Sequence, residues 1–123
     1  MTHTILIVHP ERGHFTERKL EEVTLHELQR AVGGYIEQAP ETGLTQERIC
    51  MFVNEEGLLQ GLPVNENLLP FFYVGNAVFV AREVNEDGEL DLVGLDAYQK
   101  DFVERWLVQL GYIAWRESLP KGE

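Results

Sequence analysis

The sequence predicts an α+β domain, a single unit spanning residues 1–123 with a mostly antiparallel sheet of about four to five strands and two helices packed against it. Three observations predict it. Short apolar segments rich in β-branched residues recur along the chain: "TILIV" at Thr4–Val8, "ICMFV" at Ile49–Val53 and "NAVFVAREV" at Asn76–Val84. Only two segments carry helical spacing, one around Leu25–Val32 and one after Asp96. The length of 123 residues suits one domain, and no repeat, linker or low-complexity stretch divides it.

Taken in order, "TILIV" is apolar on both faces and reads as a buried strand. "HPERGHFTERKLEEV" is polar, contains Pro10 and Gly13, and reads as a loop. In "TLHELQRAVGG", Thr24 and Glu27 have the spacing of a capping box. Leu25, Leu28 and Val32 repeat at helical spacing. Gly33 suits the left-handed residue that ends a helix, and Gly34 releases the chain into the half-buried strand "YIEQA". "ICMFV" is a second doubly buried strand. "NEEG" (Asn54–Gly57) is a turn in which Gly57 suits positive φ. "LLQGLPVN" reads as a strand or extended arm that Pro63 keeps out of the sheet centre. "NAVFVAREV" is a strand, and "NEDG" (Asn85–Gly88) is a hairpin turn. In the last helix Asp96 is the N-cap. Tyr98, Phe102, Val103, Trp106 and Leu110 form its apolar stripe, Lys100–Glu104 and Asp101–Arg105 pair on the wet side, and Gly111 ends it. The tail beyond, with Tyr112, Ile113 and Trp115, is expected to pack back.

Composition narrows the function classes. The formal charge is −11, with 44% hydrophobic and 25% charged residues, so the chain is globular. Acid is concentrated late: between Glu83 and Glu104, eight acids face the single base Lys100. Direct nucleic-acid binding needs the opposite sign, since Lys and Arg displace phosphate counterions. The acidic surface formed by Glu83, Glu86, Asp87, Glu89 and Asp91 serves either solubility or the steering of a basic partner. No apolar run is long enough to span a bilayer, and the N-terminus lacks the pattern of a signal peptide. The lone Cys50 excludes an internal disulfide. A cytoplasmic protein without membrane contact is expected.

Catalytic signatures are missing. "NEDGELD" places Gly94 where a calcium loop needs a bidentate Glu. His3, His9, His14 and His26 lack companions at zinc spacing, so no metal and no cofactor are expected. Cys50 sits in an apolar strand and reads as inert. Glu55 and Glu56 could act as paired acids, but turn neighbours point apart into water. In "LLPFFYVGN", Phe71, Phe72 and Tyr73 cannot all face one core from an extended chain. They read as an interface, with a homodimer through Phe71 or Phe72 expected, or as a satellite cluster.

The stretches "LQRAVGGYIE", "MFVNEEGLLQGLPVN" and "GNAVFV" together resemble a domain family of unknown function encoded mainly by phages, prophages and plasmids. The shared pattern is LQ-x-x-VGGYIE, then NEEG-x-L-x-GLP-x-N, then GNA, covering Leu28 to about Leu110. The family carries an arginine after the last asparagine of GLP-x-N, where this chain has Glu66. The resemblance implies a mobile-element accessory protein and brings no activity or catalytic residue. It implies a shared framework of Gly33, Gly34, Asn54, Gly57, Gly61, Pro63 and Asn65. The two motif turns beside the Gly-Gly helix end are expected to line one groove. Candidate binding residues are therefore Gly33, Gly34, Tyr35, Asn54, Glu55, Glu56, Gly61, Asn65, Phe71 and Phe72. The expected function is non-enzymatic binding of a host or phage protein, such as inhibition of a nucleic-acid-handling or defence enzyme. A binder of a nucleotide signal, using bases such as Arg30 and Arg48, is the alternative. An uncharacterised hydrolase ranks below both.

Overall fold

A computed structural model describes residues 2–120. The chain runs β1 (His3–Val8), β2 (Phe15–Leu20), α1 (Leu25–Val32), β3 (Ile36–Ala39), α2 (Thr42–Gln46), β4 (Ile49–Asn54), a 3₁₀ turn (Glu66–Leu68), β5 (Ala77–Val84), β6 (Leu90–Val93) and α3 (Ala97–Ser118). The strands form one six-stranded sheet in the order β2-β1-β5-β4-β3, with β6 beside the far half of β5. Every pairing is antiparallel. The predicted fold class is the observed one.

The three central strands are apolar on both faces because both faces are covered. Ile5, Ile7, Cys50, Phe52, Val78 and Val80 meet Leu28, Ala31 and Val32 of α1. On the other face Leu6, Val8, Met51, Val53 and Phe79 meet Val103, Leu107 and Leu110 of α3, together with Leu44 and Leu68. Trp106 sits edge-on to Phe79 and stacks on Phe71, with centroid separations of 6.0 and 6.3 Å.

Helix ends follow from local chemistry. Thr24 caps α1 by accepting from the Glu27 amide at 3.2 Å. The reciprocal half of the box is not made, and the Glu27 carboxylate takes Arg30 instead. In α1, Ala31 replaces the exposed Leu25 on the buried face. Gly33 is left-handed at φ 78°, and the amides of Gly33 and Gly34 both donate to the Gln29 carbonyl. Nothing lies within 4 Å of a Cβ built on Gly33. A substitution there is therefore strained by conformation alone. Gly33→Val is expected to destabilise by about 1–2 kcal/mol in denaturant unfolding; wild-type stability would refute the cap's importance. Asp96 caps α3 in a full capping box with Gln99.

Several local expectations are corrected. "FTERKL" is strand β2 rather than loop. It is a sheet edge, so Glu17, Arg18 and Lys19 keep it polar, as edge strands tend to be. "LLQGLPVN" is a run of turns in which only Val64 bridges, to Val74. Gly57 does not adopt positive φ; its role is steric, since a Cβ there would lie 2.7 Å from Val74 Cγ2. Gly111 does not end α3. One interior glycine is disfavoured by only about 1 kcal/mol, and the helix runs 22 residues to Ser118. Pro120 biases Leu119 away from helix and stops it. Tyr112 and Trp115 consequently stand exposed on α3 and do not pack back. Lys100 pairs with Glu17 of β2, tying α3 to the sheet edge, while Asp101–Arg105 forms as expected at 2.9 Å.

Candidate functional site

The motif residues build a frame before they build a surface. Asn54 ends β4 and is buried. Its Nδ2 donates to the Val32 carbonyl at 3.2 Å and to Gln60 Oε1 at 3.1 Å, and its Oδ1 accepts from the Glu56 amide at 2.8 Å. A Cβ on Gly34 would lie 2.9 Å from Asn54 Nδ2. The paired glycines thus have separate tasks: Gly33 supplies the left-handed cap, and Gly34 makes room for this asparagine. The Glu55 amide bonds the Tyr35 carbonyl at 2.8 Å and extends the β3–β4 ladder into the turn.

Asn65 does the same for the middle segment. It donates to the carbonyls of Val8 at 3.0 Å and Gly75 at 2.9 Å, and accepts from the Asn67 amide at 3.0 Å. Asn67 donates to the carbonyls of His9 and Glu11 and accepts from the Gly13 amide. Asn76 donates to the Ala31 carbonyl. No buried side-chain nitrogen or oxygen among the described residues lacks a partner. A buried asparagine is stable only when so satisfied, and these are satisfied by main chain apart from the Asn54 bond to Gln60.

Above this frame lies a groove of about 410 Å³. Its floor holds Ala39, Val53, Gly57, Tyr73 and Val74, and its sides Glu37, Glu55, Leu58, Leu59 and Phe72. Leu58, Leu59 and Phe72 are 82%, 86% and 79% exposed. Among the described residues the only charged ones lining it are Glu37 and Glu55. Tyr73 hydroxyl donates to Glu41. Burial first, then that hydrogen bond and the fields of Glu41 and Glu37, push the phenol above its ordinary range.

Of the residues expected to bind, Asn54, Glu55 and Phe72 line this groove. Gly33, Gly34, Tyr35, Glu56, Gly61 and Asn65 do not, and most of them are frame. Phe71 stacks on Trp106 and belongs largely to the protomer's own packing. Leu58, Leu59 and Glu37 lie outside the expectation. Two adjacent leucines in a turn were a usable signal, because a turn offers no core for both.

The acidic residues occupy the opposite end of β5. Glu83, Glu86, Asp87, Glu89 and Asp91 are all exposed on the β5–β6 hairpin. Asn85 holds the tip: its Oδ1 accepts from the amides of Asp87 and Glu89, both at 2.9 Å.

The other candidates have settled environments. The Gly33 and Gly34 amides are consumed by the helix cap and offer no anion nest. Arg30 pairs with Glu27, whereas Arg48 lines a pocket with Arg82, so the two do not share a site. Among the described residues no group of three or more His, Cys, Asp or Glu converges on a metal position. His9 and His14 stack at 3.8 Å, and burial and His14 hold the His9 pKa below its ordinary value. Burial pushes the Cys50 thiol up, away from the reactive thiolate. No helix among the described residues is long and apolar enough to cross a membrane.

The fold and frame define a small α+β domain whose motif glycines and asparagines serve architecture. The chain belongs to the family described as Domain of unknown function (DUF3846), whose model matches residues 1–103. That span takes in the whole sheet and the first turns of α3. No curated protein and no solved structure matches the chain.

Proposed function

We propose that this chain is a non-enzymatic accessory protein of a mobile genetic element that binds a basic surface on a host or phage protein. A nucleic-acid-handling or defence enzyme presents such a surface to phosphate, and an acidic protein competes for it. One observation carries this reading: the β5–β6 hairpin presents Glu83, Glu86, Asp87, Glu89 and Asp91 to solvent on a tip whose loop is fixed by Asn85. A fixed loop lowers the ordering penalty of binding. The motif resemblance supports the mobile-element origin.

The test is kinetic. A partner captured from host lysate should associate more slowly as salt rises, because exposed charges are screened over about 8 Å at physiological ionic strength. Neutralising the tip with Glu86→Gln, Asp87→Asn, Glu89→Gln and Asp91→Asn should reduce the on-rate by about tenfold or more and change the off-rate less. Capture and on-rate indifferent to these changes would leave the acid as a solubilising surface.

A further inference from the structure

We propose that the groove beside β3 is a docking site for an extended peptide segment, which adds as a strand to β3 and carries an apolar anchor next to Lys or Arg. This site lies at the far end of β5 from the acidic hairpin and is independent of it.

Three observations converge. First, among the described residues β3 ends the sheet and pairs only with β4. Antiparallel partners alternate between bonded and non-bonded pairs. The Glu55 amide bonds the Tyr35 carbonyl, which makes Tyr35–Glu55 a bonded pair. In the register Ile36↔Asn54, Glu37↔Val53, Gln38↔Phe52 and Ala39↔Met51, the next bonded pairs are therefore Glu37–Val53 and Ala39–Met51. The backbone groups of Ile36 and Gln38 point outward, away from β4. Such a row is a template for a further strand.

Second, the face of β3 that carries Glu37 and Ala39 opens into the groove. Side chains on alternate positions of an added strand would reach it. Leu58, Leu59 and Phe72 flank it at 82%, 86% and 79% exposure. They are the most exposed large apolar side chains of the described residues. The same turn that carries both leucines is locked by Asn54, so they are held out on a fixed frame.

Third, charge selects the occupant. Both charged lining residues, Glu37 and Glu55, are acids, and Glu41 sits on the Tyr73 hydroxyl in the floor. An apolar groove with acid on its sides favours an apolar segment with basic neighbours and opposes an acidic one. It also opposes a second copy of this −11 chain, whose matching acids would face these.

A displayed library of random peptides, panned against the full chain, tests the proposal. Recovered sequences should share an apolar or aromatic residue with Lys or Arg close by. Their binding should fall about tenfold or more in Phe72→Asp and in Leu59→Asp. Both positions are exposed, so the variants should fold, and circular dichroism confirms it. Glu37→Lys with Glu55→Lys should reverse the charge preference. Amide exchange of Ile36 and Gln38 should slow on peptide addition, a readout that binding by charge alone does not move. Recovery of no peptides, or of peptides indifferent to the groove variants, would overturn the proposal. So would unchanged exchange at Ile36 and Gln38, or concentration-dependent dimers abolished by Phe72→Asp, which would make a second copy the occupant. Neutralising the acidic hairpin should leave this peptide binding essentially unchanged, so failure here and failure of the proposed basic-partner binding are read separately.

Discussion

Asn65→Ala is expected to destabilise the domain by about 3–5 kcal/mol, because each buried polar group left without a partner costs about 1–3 kcal/mol. Asn65 is 0% exposed. Its side chain joins the end of β1, at the Val8 carbonyl, to the entry of β5, at the Gly75 carbonyl. Truncation takes one donor from each carbonyl and the acceptor from the Asn67 amide, in a place closed to solvent. Denaturant unfolding of the variant gives the number directly. Asn65→Asp is the sharper comparison. It keeps the acceptor for the Asn67 amide but turns the donor into a carboxylate oxygen facing two carbonyls. At neutral pH it should be at least as destabilised as the alanine variant. Its carboxyl pKa would be raised in the folded state, so the deficit should shrink as pH falls and the group protonates. Loss of under about 1 kcal/mol in both variants would mean that water replaces the asparagine.

Trp106→Ala is expected to cost about 3–4 kcal/mol, the lower part of the range for large aromatics, because Trp106 is half-buried. The indole fills the space between Phe79 at the sheet centre and Phe71 of the middle segment. Its removal opens a cavity and frees Phe71 at once. Trp106→Phe should recover more than half of the loss, since a ring remains against Phe79. If alanine and phenylalanine melt alike at the wild-type midpoint, α3 is held by Val103, Leu107 and Leu110 alone.

The elements with strong local chemistry are legible in the sequence. Gly33 as a left-handed cap, Asp96 as an N-cap and the doubly apolar strands at Ile49 and Ala77 need no tertiary information. β2 is not legible, because "FTERKL" is charged for the sake of an exposed edge and alternates too weakly. The length of α3 is misread because Gly111 looks like a stop, while the real stop is Pro120. The candidate site is half legible. The motif asparagines announce a frame, and Phe72 announces a surface. The pairing of Phe72 with Leu58 and Leu59 is a product of the Asn54 and Asn65 junctions, which fold two distant turns onto one face. No spacing rule in a single sequence encodes that meeting.

The asparagine junctions also bear on how quickly the fold assembles. β1–β2, β3–β4, β4–β5 and β5–β6 are each formed by strands consecutive in the chain. Among the described residues the pairing of β1 with β5, Leu6 against Phe79, is the one between strands that are not consecutive. It closes the longest loop of any strand pair and therefore carries the largest closure entropy. The amino-terminal hairpin is thus a late arrival on a sheet that can otherwise zip up by neighbours. Asn65 and Asn67 sit on that seam, since their side chains take the carbonyls of Val8, His9 and Glu11. They act after the register is found, so they govern how long the hairpin stays docked more than how fast it docks. The seam is where the molecule is expected to divide when it opens: an amino-terminal hairpin on one side and the β3–β6 strands, which pair among themselves, on the other.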